Sequence, residues 1–116
     1  MNLSVSEIIS ILKNDIQDIS NPLPDGEINS FKIDSRKIVN NDVFIAIQGS
    51  NVDGHDYIDN ALENGACLVI TNRSHKNSSV LTVRDSVKAL GIIANYYIKK
   101  VKSKSIGITG TNGKST

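Results

Sequence analysis

Apolar and polar positions follow two rhythms along the chain, and the changes from one to the other mark out the elements. Val5, Ile8, Ile9 and Leu12 fall at i, i+3, i+4 and i+7, one apolar face of a short helix. Ser4, followed three residues later by Glu7, spells a capping box at its start. "NPLPDGE", residues 21–27, carries both prolines and a glycine and reads as a turn-rich connection. The chain then looks extended from Ile28 to Ile33, ending at "DSRK". "NND" at 40–42 makes a turn. "VFIAI" at 43–47 is a continuous apolar run, the pattern of a strand covered on both faces.

The loop "GSNVDGHD" leads into a helix with Tyr57, Ile58, Ala61 and Leu62 inward and Gly65 as its stop. "ACLVIT" (66–71) and "VLTV" (80–83) are the next strands. Asp85 or Ser86 can cap a helix running to about Lys100, with Val87, Leu90, Ile93, Ala94 and Tyr97 as its buried face. Lys99, Lys100 and Lys102 gather where a helix is negative. "SIGIT" (105–109) reads as a last strand. Strands alternating with helices at this spacing predict an α/β fold: a small mixed, mainly parallel sheet flanked by helices. Residues 1–103 are expected to form one domain, and 104–116 to open a second that is cut short.

Composition narrows this only a little. The apolar content of 39% is that of an ordinary folded domain, and a formal net charge of +1 points to neither nucleic acid nor a membrane surface. Any anion site must therefore be local. The lone cysteine, Cys67, excludes an internal disulfide and reads as a small buried hydrophobe. No apolar run approaches the ~18 residues of a membrane span, and "MNLSVSEIIS" lacks the basic start of a signal peptide. A cytoplasmic monomer is expected.

The strongest local signal is "GTNGKST", 110–116. Gly110 and Gly113 allow backbone conformations closed to residues with a Cβ, so that successive N–H groups can point into one concavity. Lys114 would reach the outer phosphates of a nucleotide, and the hydroxyl of Ser115 or Thr116 would ligate Mg²⁺. The general phosphate-loop spelling wants glycine at position 108, which is Ile108 here. The bland alternative is a glycine-rich turn with a chance Lys-Ser-Thr.

Two polar clusters flank the run Val43 to Ile47. "IDSRK" (33–37) and "QGSNVDGHD" (48–56) both follow extended segments, and ligands of open α/β sheets bind beyond the carboxyl ends of strands. Ser35, Ser50 and Asn51 offer neutral hydrogen-bonding groups, while Arg36 and Lys37 offer charge for a phosphate. Spacing alone fits simple turns and a helix cap at Asp34, Asp53 and His55 equally well. His55 has no partner at metal-ligand spacing, and His75 reads as solvated.

"DSRKIVNNDVFIAIQGSNVDGHDYIDNALENGACLVIT", followed by "GITGTNGKST", resembles the Mur ligases of bacterial cell-wall synthesis over nearly the whole chain. The resemblance implies a first domain that holds the uridine nucleotide of a UDP-N-acetylmuramoyl peptide, and a following domain that binds ATP and Mg²⁺. Carried over by position, it implies that Ile33, Ser35, Ser50, Asn51 and Val52 meet the UDP end. Gly110, Thr111, Asn112, Gly113, Lys114, Ser115 and Thr116 would then be the ATP phosphate loop. Ser115 stands where the family usually has threonine, and the swap keeps the hydroxyl.

Among late-acting members, the direct run from "NYYIKKVKSK" into "SIGITG" is more like the enzyme that adds D-alanyl-D-alanine than the one that adds the third peptide residue. Thr111, often serine in the former, argues the other way. The implied chemistry is ATP-driven formation of an acyl phosphate, with the groups that orient carboxylate and amine beyond Thr116. The segment alone is expected to be inactive. An unrelated phosphate-loop module, or an α/β interaction domain without ligand, remain the rival readings.

Overall fold

The computed structural model describes residues 3–19, 25–73 and 79–108, with 103–108 given by backbone alone. Residues 20–24 of the proline-rich connection, the 74–78 loop with His75, and the whole 109–116 glycine loop lie outside the described residues.

Helix α1, Val5–Leu12, begins as its sequence directs. Ser4 is the N-cap, its Oγ accepts from Glu7 N at 3.2 Å, and Glu7 Oε1 accepts from Ser4 N at 3.2 Å. The sheet has five strands: β1 (Ile16–Ile19), β2 (Phe31–Lys32), β3 (Val43–Ile45), β4 (Leu68–Thr71) and β5 (Val80–Val83), in the order β1-β5-β4-β3-β2. The β2–β3, β3–β4 and β4–β5 pairs are parallel, and β1 pairs antiparallel with β5. The expected mixed, mainly parallel sheet is therefore present. Helix α2 (Ile58–Glu63) connects β3 to β4, and α3 (Ser86–Ile108) follows β5.

Alternate residues of the central strands feed two cores. Val43 and Ile45 of β3, Leu68 and Ile70 of β4, and Leu81 and Val83 of β5 pack with Val5, Ile8 and Leu12 of α1 and Ala89 and Ile93 of α3. Phe44, Val69 and Val80 face the other way, onto Ile38, Ile58 and Ala61. Helices thus cover both faces, as a continuous apolar run requires. Burying side chains of this size contributes roughly 1.5–3 kcal/mol each, before chain entropy is subtracted. Gly65, at φ +113°, ends α2 in the left-handed region where a side chain would be strained.

Four expectations change. Strand β1 was not evident, because Ile16 and Ile19 stand three apart and do not alternate; β5 supplies its pairing from far along the chain. The inward face of α3 is Ala89 and Ile93, flanked by Tyr96 and Tyr97, whereas Val87 is exposed and Ala94 points to solvent. Tyr57 is not inward on α2 but precedes it, exposed, in a 3₁₀ turn. Residues 105–108 continue α3 in place of the expected strand. A lone strand gains nothing without a neighbour to pair with, whereas each residue added to a nucleated helix gains a hydrogen bond.

Candidate functional site

Parallel pairing puts the carboxyl ends of β2, β3 and β4 on one edge of the sheet, and the two polar clusters meet there. After β2 the chain makes a 3₁₀ turn, Ser35–Lys37, capped by Asp34, whose Oδ1 accepts from Arg36 N at 3.0 Å. After β3 it makes a pinched loop and a second 3₁₀ turn, Gly54–Tyr57, capped by Asp53, whose Oδ1 accepts from His55 N at 3.0 Å. The same arrangement, an aspartate accepting from the backbone two residues on, builds each lip.

Between the lips lies a cleft of about 430 Å³, lined by Ile33, Asp34, Ser35, Arg36, Phe44, Ile47, Gly49, Val52, Gly54 and Tyr57. Its floor is Phe44, fully buried in β3, and its walls are mainly apolar. Ile33, Val52 and Tyr57 remain 58%, 56% and 43% exposed, so three large apolar side chains face solvent around one hollow. Isolated exposed apolar residues are commonplace; a group of them rimming a concavity marks a binding surface.

Ser35 is buried beneath the first lip, and its carbonyl accepts from Asn64 Nδ2 at 2.9 Å, which fastens the turn to the end of α2. Arg36 sits at the mouth, 85% exposed, and forks onto Asp34 through Nε–Oδ1 at 3.1 Å and Nη2–Oδ2 at 2.9 Å. Those hydrogen bonds hold the Asp34 carboxyl down to about 2 and push Arg36 up. The guanidinium stays charged and is oriented before any ligand arrives.

The second lip is pinned more heavily. Gln48 and Asp53 bridge across the feet of the loop, Gly49 N donates to Val52 O at 2.8 Å, and Gly54 N donates to Ile47 O at 2.9 Å. Asp53 also accepts from His55 Nδ1 at 2.6 Å and from Arg73 Nη1 at 2.8 Å. Hydrogen bonds from the His55 backbone and ring, with Arg73, hold Asp53 at about 2. The short His55–Asp53 contact places the proton on Nδ1. His55 Nε2 is buried and has no hydrogen-bond partner among the described residues.

Of the five residues expected at the UDP end, the fold brings Ile33, Ser35 and Val52 into the cleft. Ser50 and Asn51 stand on the exposed tip of the second lip, beside the cleft and not lining it. Lys37 is exposed and not part of the lining. Tyr57 and Ile47 are wall residues that pattern reading assigned to the core, and Phe44, a core residue as expected, also forms the floor. The Asp53-Gly54 pair was a sign that the helix starts later and leaves Tyr57 free. Cys67 is half-buried, and burial pushes its thiol up, in keeping with an inert side chain. Among the described residues no three His, Cys, Asp or Glu side chains are grouped to hold a metal, and no helix is long and apolar enough to cross a membrane. The residues expected to hold ATP and Mg²⁺, Gly110 to Thr116, lie outside the described residues.

A family model described as "Mur ligase family, catalytic domain" matches residues 27–108. The UDP-N-acetylmuramoyl-L-alanyl-D-glutamate–2,6-diaminopimelate ligase of Clostridium tetani is 43% identical over 98 residues, covering 78% of this chain and 20% of its own length. The enzyme of the same name from Fusobacterium nucleatum is 41% identical over 97 residues, covering 79% and 20%. This chain therefore spans about a fifth of the length of these curated relatives. Among solved structures, MurF ligase from Thermotoga maritima in complex with ADP aligns with a TM-score of 0.59 and 38% identity, over 61% of this chain and 17% of that one. MurF from Acinetobacter baumannii gives a TM-score of 0.69 over 82% of this chain and 21% of that one; at 23% identity it speaks for the fold alone.

Proposed function

The chain belongs to the Mur ligase family, and from that premise we propose that residues 1–103 hold the uridine diphosphate end of a UDP-N-acetylmuramoyl peptide for an ATP-dependent peptidoglycan ligase. One observation carries this reading: a cleft walled by Ile33, Val52 and Tyr57 and floored by Phe44, with the Arg36 guanidinium fixed at its mouth. A flat base suits the apolar walls, and a diphosphate suits an exposed, permanently charged fork. Ser35 under one lip, and Ser50 and Asn51 on the tip of the other, offer hydrogen bonds to the sugar and base.

Residues 104–116 are, on this reading, the opening of the ATP-binding unit in a cytoplasmic enzyme. Gly110 to Thr116 would cradle the nucleotide phosphates, with Lys114 on the outer ones and the hydroxyl of Ser115 or Thr116 at Mg²⁺. The metal supplies charge neutralisation during phosphoryl transfer. The peptide's terminal carboxylate takes the phosphoryl group from ATP, and the amine of the incoming substrate displaces phosphate from the acyl phosphate. The described residues contribute anchorage: they hold the far end of the precursor, so that freedom is lost on binding, ahead of the chemical step at its carboxylate.

The names of the sequence relatives favour 2,6-diaminopimelate as the incoming amine. Addition of D-alanyl-D-alanine, the expectation from the lysine-rich helix end, is kept as a second reading by the likeness to the Thermotoga MurF. Giving the complete protein ATP, Mg²⁺ and either UDP-muramoyl dipeptide with 2,6-diaminopimelate or UDP-muramoyl tripeptide with D-alanyl-D-alanine, and measuring phosphate release, separates the two. Release with neither pair overturns the ligase reading.

A further inference from the structure

Asp53 is not part of the cleft lining, yet the fixed points of the second lip converge on it. Its Oδ1 accepts from His55 N and His55 Nδ1, and its Oδ2 accepts from Arg73 Nη1. Arg73 Nη2 then donates to Gln48 Oε1 at 3.1 Å, at the opposite foot of the same loop. One guanidinium thus spans both feet. Arg73 is itself anchored, because its backbone N donates to Oγ1 of the buried Thr71 at 3.1 Å, at the end of β4. Among the described residues the exposed tip between the feet is crossed by the Gly49–Val52 bond, so its position is inherited largely from the base.

We propose that Asp53 is a positioning residue for nucleotide binding, holding the 48–52 loop at the cleft through Arg73 as its tether. The proposal rests on the reading that the cleft takes uridine diphosphate. The clamp lowers no barrier and need not touch the ligand. It keeps Val52 against the cleft and Ser50 and Asn51 beside it before the ligand arrives. Without it the loop samples other positions, and apparent affinity falls in proportion to the time spent in the competent one. A loop competent about one-tenth of the time would bind about tenfold more weakly.

The test measures uridine diphosphate affinity of the 116-residue chain by calorimetry, together with its melting temperature, for wild type, D53A, R73A, R73K and D53A/R73A. Arg73 is half-exposed, and removing it leaves the core intact, so R73A remains informative even where D53A fails to fold. The clamp predicts that R73A binds about tenfold more weakly with its melting temperature nearly unchanged. It also predicts that R73K, which keeps the charge but not the fork, recovers only part of the affinity, and that the double variant is no weaker than the weaker single. Wild-type binding with unchanged affinity in folded R73A overturns the positioning role while leaving the site assignment in place. Absence of binding by wild type overturns the site assignment, and the proposal with it.

Discussion

Tyr96 Oη donates to Glu7 Oε2 at 2.7 Å, and Lys100 Nζ reaches the same oxygen at 2.7 Å, so one carboxylate joins the first helix to the last. Its other oxygen closes the capping box of α1. Sequence pattern assigned Glu7 the local task alone; the long-range one arises because α1 and α3 pack side by side on the sheet.

Hydrogen bonds from Lys100 and Tyr96 hold Glu7 below its ordinary value of 4.5. A carboxyl depressed in the folded state stabilises above its unfolded value and loses that contribution as pH falls through the folded one. E7Q is therefore expected to be about 1 kcal/mol less stable at neutral pH, with the difference shrinking as pH drops below 4.5. Urea unfolding of both proteins across that range checks it.

Asp42 is the buried counterpart. It is fully buried and accepts from Lys32 Nζ at 2.7 Å, Ser30 Oγ at 2.7 Å, Asn29 Nδ2 at 2.8 Å and Val39 N at 2.9 Å. Burial pushes its carboxyl up, but these four donors outweigh that and hold it at about 2. D42A takes this acceptor from all four, leaving Lys32 Nζ with Lys37 O at 3.1 Å, and is expected to cost about 3 kcal/mol or more. D42N should recover little, because its amide would turn a donor toward donors. Denaturant midpoints at neutral pH decide both.

Much of this architecture could be read in advance. The runs at 43–47, 66–71 and 80–83 read as strands, the first as one covered on both faces, and the Ser4–Glu7 spelling placed the first helix. What escaped depends on partners distant in sequence. Ile16–Ile19 is a strand only because β5 accepts it. Val87 is exposed because the sheet, not the helix's own periodicity, determines which side of α3 turns inward. For the site, the family resemblance named Ile33, Ser35 and Val52, and the fold sets these three on the cleft. Tyr57, Phe44 and the Asp53–Arg73 clamp required knowing that β2, β3 and β4 end on one edge.

Gly54 packs against the end of β3 with no room for a side chain. A Cβ there would stand 2.9 Å from Ile47 N and 3.0 Å from Ile47 O, and backbone cannot yield cheaply. G54A is expected to lose about 1–3 kcal/mol of stability and to displace the second lip. Thermal unfolding measures the first effect, and uridine diphosphate affinity the second.

Tyr57 offers an exposed aromatic wall at the cleft. Stacking of a base on an aromatic side chain is typically worth about 1–3 kcal/mol by alanine substitution. Y57A should weaken uridine diphosphate binding about tenfold or more, whereas Y57F should keep most of it, and neither should shift the melting temperature much. Equal losses for both would mean that the hydroxyl, not the ring, meets the ligand.

The most direct measurement is a uridine diphosphate titration of the ¹⁵N-labelled chain, followed by amide shifts. The account predicts saturable changes concentrated at 33–36 and 49–57, the two lips of the cleft. Changes confined to other surfaces, or none at all, would contradict it.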